Sequence, residues 1–139
     1  MPLPPGYKDH GIWFNYVPTG SMPVVLKRVY APPAGDDGSR VLVDRLWPRG
    51  LSREKAAVDL WLKDVAPSDA LRKCLHRDPS DWNAFRRAYL AELKQYREQL
   101  KPLVEKAERG RVTLLFASRN ETRNNAVVLK EYLHRLGAP

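Results

Sequence analysis

The hydrophobic positions of the chain fall into two kinds of pattern. Val24–Tyr30 (VVLKRVY), Arg40–Asp44 (RVLVD) and Val112–Ala117 (VTLLFA) are short, nearly continuous apolar runs, flanked by turn-forming stretches such as Ala31-Pro32-Pro33 and Gly35-Asp36-Asp37-Gly38. Runs of this length with these boundaries predict strands, and their lack of alternation suits a parallel sheet covered on both faces. Trp82, Phe85, Tyr89, Leu93, Tyr96, Leu100, Leu103 and Ala107 instead recur at steps of three and four, a helical stripe with the charges elsewhere. Pro102 removes a backbone donor and restricts Lys101, so a kink or a division into two helices is expected near Lys101-Pro102. Gly110 then ends the run.

Shorter elements fill the remainder. Ser52 predicts the N-cap of a helix through Ala57, and Ser68, after Pro67, caps another through Leu75 that the Asp78-Pro79 turn closes. Val58–Val65 carries both signals: Val58, Leu60 and Leu62 alternate as in a strand, while Ala57, Leu60, Trp61 and Val65 suit a helix; the strand is favoured. The last helix runs from about Asn124 to Leu136 and stops at Gly137. Strands alternating with helices predict an α/β fold, one compact domain built on an open, mainly parallel sheet with helices packed on both faces. Ligands of such sheets bind beyond the carboxyl ends of the strands.

Upstream of Met22 the pattern fails, apart from the short Ile12–Val17 run. Gly20-Ser21-Met22 reads as a cloning remnant followed by a native start, so residues 1–21 are taken as an N-terminal extension or an expression-derived peptide and 22–139 as the domain. Leu3–Tyr7 has the composition of a polyproline docking ligand, and Trp13–Val17 that of an edge strand added to a partner. Together they give a protein-interaction reading beside the simpler one of a loosely packed tail.

A length of 139 residues allows one core. The single cysteine, Cys74, rules out an internal disulfide framework and cysteine-based zinc cages, and its place beside Leu71 and Leu75 predicts a core position. No run approaches the roughly 20 apolar residues of a membrane helix and no leader pattern opens the chain, so a cytoplasmic protein without a membrane partner is expected. Lys and Arg number 24 against 16 Asp and Glu, a net +8 that points to acidic partners. Residues 1–21 hold one lysine and one aspartate, which leaves the surplus with the domain.

Two polar clusters follow predicted strands. Asp44, Arg45, Trp47, Pro48, Arg49 and Gly50 come directly after Val41–Val43, with Arg28 and Arg40 expected to add to the same face. Arginine offers a planar, permanent cation suited to phosphate or carboxylate. The competing account pairs Asp44 with Arg45 or Arg28 in a buried network that fixes the loop. Ser118–Asn125 joins the Val112 strand to the last helix, at whose N-terminus the dipole and unpaired N–H groups favour an anion. Ordinary capping by Thr122 or Asn124 explains this loop less completely, since it leaves Arg119 and Arg123 unaccounted for. No P-loop, dinucleotide fingerprint or metal-ligand spacing is present, so neither cofactor nor metal is expected. His76 is read as a helix-end or solvated side chain sooner than as a general acid or base.

Several of these residues carry a family resemblance. Val29-Tyr30, Asp36-Asp37-Gly38, Arg40–Gly50 with its run VDRLWPRG, Lys55, Trp61–Asp64, Ala66-Pro67-Ser68, Leu71-Arg72, Asp78-Pro79, Trp82, Phe85, Tyr89, Thr113–Leu115 and Asn124-Asn125-Ala126 resemble the YeaO-like members of the domain of unknown function 488 family. The resemblance spans residues 24–136 and implies small cytoplasmic prokaryotic proteins with an α/β fold and no established activity. Arg77 and Arg123 stand where that family commonly has histidine, and Cys74 and Leu75 where larger aromatics are usual. If such a histidine carries protons, this chain lacks it.

The leading functional expectation is a small phosphate-bearing ligand, such as a nucleotide, bound or processed at this edge. Asp44 would be the general acid or base, Arg45, Arg49 and Arg123 the anion clamp, and Ser118, Asn124 and Asn125 the orienting donors. The alternative is a nucleic-acid-binding module without catalysis, recognisable by steep salt dependence.

Overall fold

The computed structural model describes residues 23–77 and 81–139. The expectations for residues 1–21, for the Asp78-Pro79 turn and for the side chains of Leu75, His76 and Arg77 lie outside the described residues. Four parallel strands, β1 (Val24–Arg28), β2 (Ser39–Leu42), β3 (Leu60–Trp61) and β4 (Val112–Phe116), form one sheet in the order β1-β4-β2-β3. Leu114 of β4 pairs with Leu26 on one side and Val41 on the other, and all five β4 residues are buried, as a central strand requires. The helices are α1 (Arg53–Ala56), α2 (Asp69–Arg77), α3 (Trp82–Leu93), α4 (Arg97–Arg109) and α5 (Asn125–Arg135). The expected α/β domain with a parallel sheet is the fold observed.

Alternation along each strand divides the core. Val41, Val43, Leu114 and Phe116 join Phe85, Tyr89, Leu93, Leu100, Leu103, Leu129 and Leu133 in a large cluster under α3, α4 and α5. Leu42, Leu115 and Val29 face the other way, onto Ala56 of α1 with Trp47, Leu51, Val58 and Trp61. Both faces are covered, but unevenly: three long helices lie on one, and a four-residue helix with its flanking loop on the other.

This arrangement creates a crevice. The chain leaving β2 turns to the face of α1, whereas the chain leaving the adjacent β4 turns to the opposite face through α5. Adjacent parallel strands whose connections part in this way leave a gap at their carboxyl ends. At the amino end the sheet is anchored by Asp37, which accepts from Ala34 N at 2.9 Å, Lys27 Nζ at 3.1 Å and Arg40 Nη1 at 2.5 Å. Gly38 follows with φ +67°, and a Cβ there would stand 2.1 Å from the Arg111 carbonyl oxygen, so no other residue fits.

Four expectations need correction. Only Leu60–Trp61 of the 58–65 segment is strand; Lys63–Val65 is a 3-10 turn, so the strand and helix signals are both realised, one after the other. The long stripe divides at Lys94–Tyr96 and not at Pro102, which lies inside α4. Pro102 and Glu98 are both exposed, so water can satisfy the Glu98 carbonyl that the proline leaves without a donor. Cys74 is exposed, although Leu71, one turn earlier on nearly the same face of α2, packs against the core. Gly110 ends α4 in extended backbone at φ 176°, without the left-handed turn that a glycine at this position usually provides. The helix ends at Ser52 and Asn124 agree with expectation: Ser52 Oγ accepts from Lys55 N and Asn124 Oδ1 from Val127 N.

Candidate functional site

The crevice opens into a cleft of about 360 Å3 lined by Tyr30, by Asp44–Arg49, by Ala66, Pro67 and Arg72, by Phe85, and by Ala117, Ser118, Asn124 and Asn125. Each wall has an identifiable support. The loop after β2 is shaped by its tryptophans: Trp47 Nε1 donates to the Leu51 carbonyl at 2.7 Å, Trp61 Nε1 to the Asp44 carbonyl at 2.7 Å, and the two rings meet edge to face at 5.5 Å. Tyr30, just past β1, donates its hydroxyl to the Arg49 carbonyl at 2.8 Å, and Gly50 at φ +77° turns the chain back.

The loop after β4 is organised by Asn120. Its Oδ1 accepts from Thr122 N, Thr122 Oγ1 and Arg123 N at 2.9–3.1 Å, and its carbonyl from Asn124 Nδ2 at 2.9 Å. Asn124 is buried and fully engaged, as N-cap of α5 on one side and partner of Asn120 on the other. Nothing at residues 118–125 marked Asn120 as the organiser beyond its residue type, which favours such local side-chain turns.

Asp44 joins the two loops. Its Oδ2 accepts from Ala117 N at 2.8 Å and its Oδ1 from Asn125 Nδ2 at 3.0 Å, while the same amide donates to the Val43 carbonyl at 2.9 Å. Burial pushes the Asp44 carboxyl above its usual pKa, against the lowering effect of these two hydrogen bonds and of the Arg72 charge. A raised carboxyl in a cleft is better suited to holding or moving a proton than an ordinary surface carboxylate. Neither of the ion-pair partners expected for it is used. Arg28 instead donates to the Ala117 and Ser118 carbonyls at 3.0 Å, and Arg45 to the Ala66 and Pro67 carbonyls at 3.0 and 3.3 Å.

The expected site residues therefore separate. Asp44, Arg45, Arg49, Ser118, Asn124 and Asn125 line one cleft; Arg28 braces its wall from behind; Arg123 is exposed and outside the lining. Arg40 is buried at the amino half of the sheet, bound to Asp37 and to the Ala56 and Ala57 carbonyls, and does not reach the cleft. Tyr30, Phe85 and Arg72 are among the lining residues that lie outside the sequence-based site. Arg72 is the informative one. Its Nε is buried without a hydrogen-bond partner, and among the described residues its ion-pair partner is the exposed Asp69, 3.7 Å from Nη2. The only warning in the sequence is a cation next to Leu71 on the inner side of an amphipathic helix.

No group of three or more potential metal-ligating side chains occurs among the described residues, and the lining holds a single carboxylate with no histidine or cysteine. No helix among the described residues is long and apolar enough to cross a membrane.

Comparison with known proteins identifies the family and leaves the chemistry open. The family model described as the inactive DUF488-N3 subclade matches residues 23–137. The uncharacterized protein YeaO of Escherichia coli (strain K12) is 44% identical over 115 residues, which cover 83% of this chain and 100% of that protein. Uncharacterized proteins of Mycobacterium bovis and of Mycobacterium tuberculosis (Mb3100c and Rv3073c) are each 40% identical over 111 residues, covering 80% of this chain and 93% of theirs. No solved structure matches significantly. With a family match over residues 23–137 and a relative of this identity covered end to end, the chain belongs to the DUF488 family, among its YeaO-like members.

Proposed function

We propose that this protein binds a small phosphate-bearing ligand in the cleft at the carboxyl edge of β2 and β4, and that it does so without turning the ligand over. The observation that carries the reading is Arg72: a guanidinium Nε–H buried at a cleft wall with no acceptor. An unsatisfied donor of this kind costs about 1–3 kcal/mol in the ligand-free protein, and an anion in the cleft would meet the exposed part of the same guanidinium, whose side chain is 37% accessible. Arg49 lines the same cleft and has no ion-pair partner among the described residues, so a second cation is available to the same anion. A volume of about 360 Å3 falls within the usual range of small-molecule sites and favours such a ligand over a nucleic-acid strand.

Binding without catalysis is supported by the residues at hand. Asp44 accepts from both loops on its two oxygens, so its first task is to hold them together. The family description that matches this chain carries the word inactive.

Arg72→Met provides the test, because it keeps the aliphatic stem and removes the orphan donor. The ligand-free variant is expected to be at least as stable as the parent, while the thermal shift and calorimetric signal given by inorganic phosphate or a phosphate monoester fall at least tenfold. A variant that is clearly less stable yet binds phosphate as before would overturn the reading, as would a parent protein that responds to no phosphate compound at millimolar concentration.

A further inference from the structure

The cleft is chemically two-sided. Arg72 and Arg49 supply donors, whereas Asp44 and Asn125 supply acceptors, on residues that lie after β2 and at the start of α5. A carboxylate oxygen accepts up to two hydrogen bonds and an amide oxygen likewise. Each Asp44 oxygen accepts one, from Ala117 N or Asn125 Nδ2, and Asn125 Oδ1 accepts none from the described residues. Because the Asn125 amide nitrogen is fixed on Asp44 and the Val43 carbonyl, Asn125 cannot reverse to present a donor without losing both bonds. In the remainder of the lining, Leu46, Pro48, Pro67 and Phe85 have no side-chain donor, and Tyr30, Arg45, Trp47, Ser118 and Asn124 direct donors to backbone carbonyls.

Resting on the phosphate-binding reading, we propose that the ligand is a phosphorylated sugar: a phosphate monoester whose body carries hydroxyl groups that donate to Asp44 and Asn125 Oδ1 while the phosphate meets Arg72 and Arg49. A plain oxyanion satisfies one side of the cleft and leaves spare acceptors on the other. A neutral hydroxyl suits those acceptors better than an ammonium group, because Arg72 already provides Asp44 with a nearby positive charge. A hydroxyl matched to a charged acceptor typically improves affinity by about tenfold or more over an analogue that lacks it.

The experiment compares inorganic phosphate, ethyl phosphate and ribose 5-phosphate by calorimetry on the full chain at pH 8. Ribose 5-phosphate is expected to bind at least about tenfold more tightly than ethyl phosphate. In Asp44→Asn, the ratio of the two affinities is expected to fall toward one. Equal binding of ribose 5-phosphate and ethyl phosphate by the parent protein overturns this inference and leaves the phosphate site standing. Failure of all three compounds to bind overturns both. The comparison among ligands needs no variant, so it decides the question even if Asp44→Asn does not fold.

Discussion

Asp44→Asn is the most searching perturbation of this structure, because asparagine preserves the shape of the side chain and changes only its hydrogen-bond polarity. Both partners of the carboxyl are donors, Ala117 N–H at 2.8 Å and the Asn125 amide at 3.0 Å. Asparagine offers one oxygen to two donors, so one of them must face an NH2 group and lose its acceptor. Leaving such a donor unsatisfied in a partly buried position costs about 1–3 kcal/mol, and at roughly 4 °C per kcal/mol for a domain of this size the melting temperature falls by roughly 4–12 °C. The pH dependence has a definite sign. Burial raises the Asp44 carboxyl above its unfolded value of 3.8, so its contribution to stability is full below that value and declines as pH rises through the folded pKa. The asparagine variant does not titrate there. Its deficit relative to the parent is therefore largest in mild acid and shrinks toward pH 8. Urea denaturation of both proteins at several pH values, with the slope m checked for constancy, measures this directly. Equal stability at every pH would refute the assignment of Asp44 as the acceptor that joins the two loops, and a deficit that grows with pH would refute the raised carboxyl.

Two other perturbations act at the opposite end of the sheet. Gly38→Ala is expected to cost several kcal/mol and to yield little folded protein, since φ is +67° and the new Cβ would stand 2.1 Å from the Arg111 carbonyl oxygen; circular dichroism showing a native melting transition would contradict this. Asp37 behaves oppositely to Asp44. Burial pushes its pKa up, but the Ala34 N–H, Lys27 and Arg40 outweigh burial and hold it below 3.8. Its contribution is therefore present above that value and is lost as pH falls through the lowered folded pKa. Acid titration followed by tryptophan fluorescence is expected to show a transition whose acid sensitivity is reduced in Asp37→Asn, which should already be less stable at neutral pH.

The elements that were legible in the sequence are those whose signal is local and repeated. Val112–Phe116 reads as a buried strand because every residue in it is apolar or β-branched, and Asn124 reads as a cap because its residue type at a helix start has a local partner in Val127 N. Pro102 was a local signal that misled. A proline marks where a helix loses one bond, but whether the helix breaks depends on whether that carbonyl can reach water, which is a property of the packed structure. Cys74 misled for a related reason: an apolar neighbourhood in sequence buries a residue only if a second element covers that point of the helix, and the cover that reaches Leu71 does not extend to Cys74 one turn on. The cleft was legible as a place, since polar residues after β2 and β4 must meet if those strands are parallel neighbours. Arg72 was not, because its position depends on how a helix some thirty residues further along lies against α3.

The arginines show why charge alone does not locate an anion site. A guanidinium carries five donors in a plane, a geometry that fits a phosphate and equally fits the paired carbonyls at the ends of strands and helices. Arg28, Arg40 and Arg45 all use it in the second way, on Ala117 and Ser118, on Ala56 and Ala57, and on Ala66 and Pro67. Each of these makes a loop rigid, and together they account for three of the cations that composition had suggested for a ligand. What distinguishes a recognising arginine from a supporting one is a guanidinium that lines the cleft and is not spent on backbone carbonyls. Within the cleft lining, that leaves Arg72 and Arg49 of the net +8 of the chain. Rigid loops behind them favour selectivity, because a pair of cations held against braced walls loses little freedom on binding and discriminates by the fit of the remaining ligand groups.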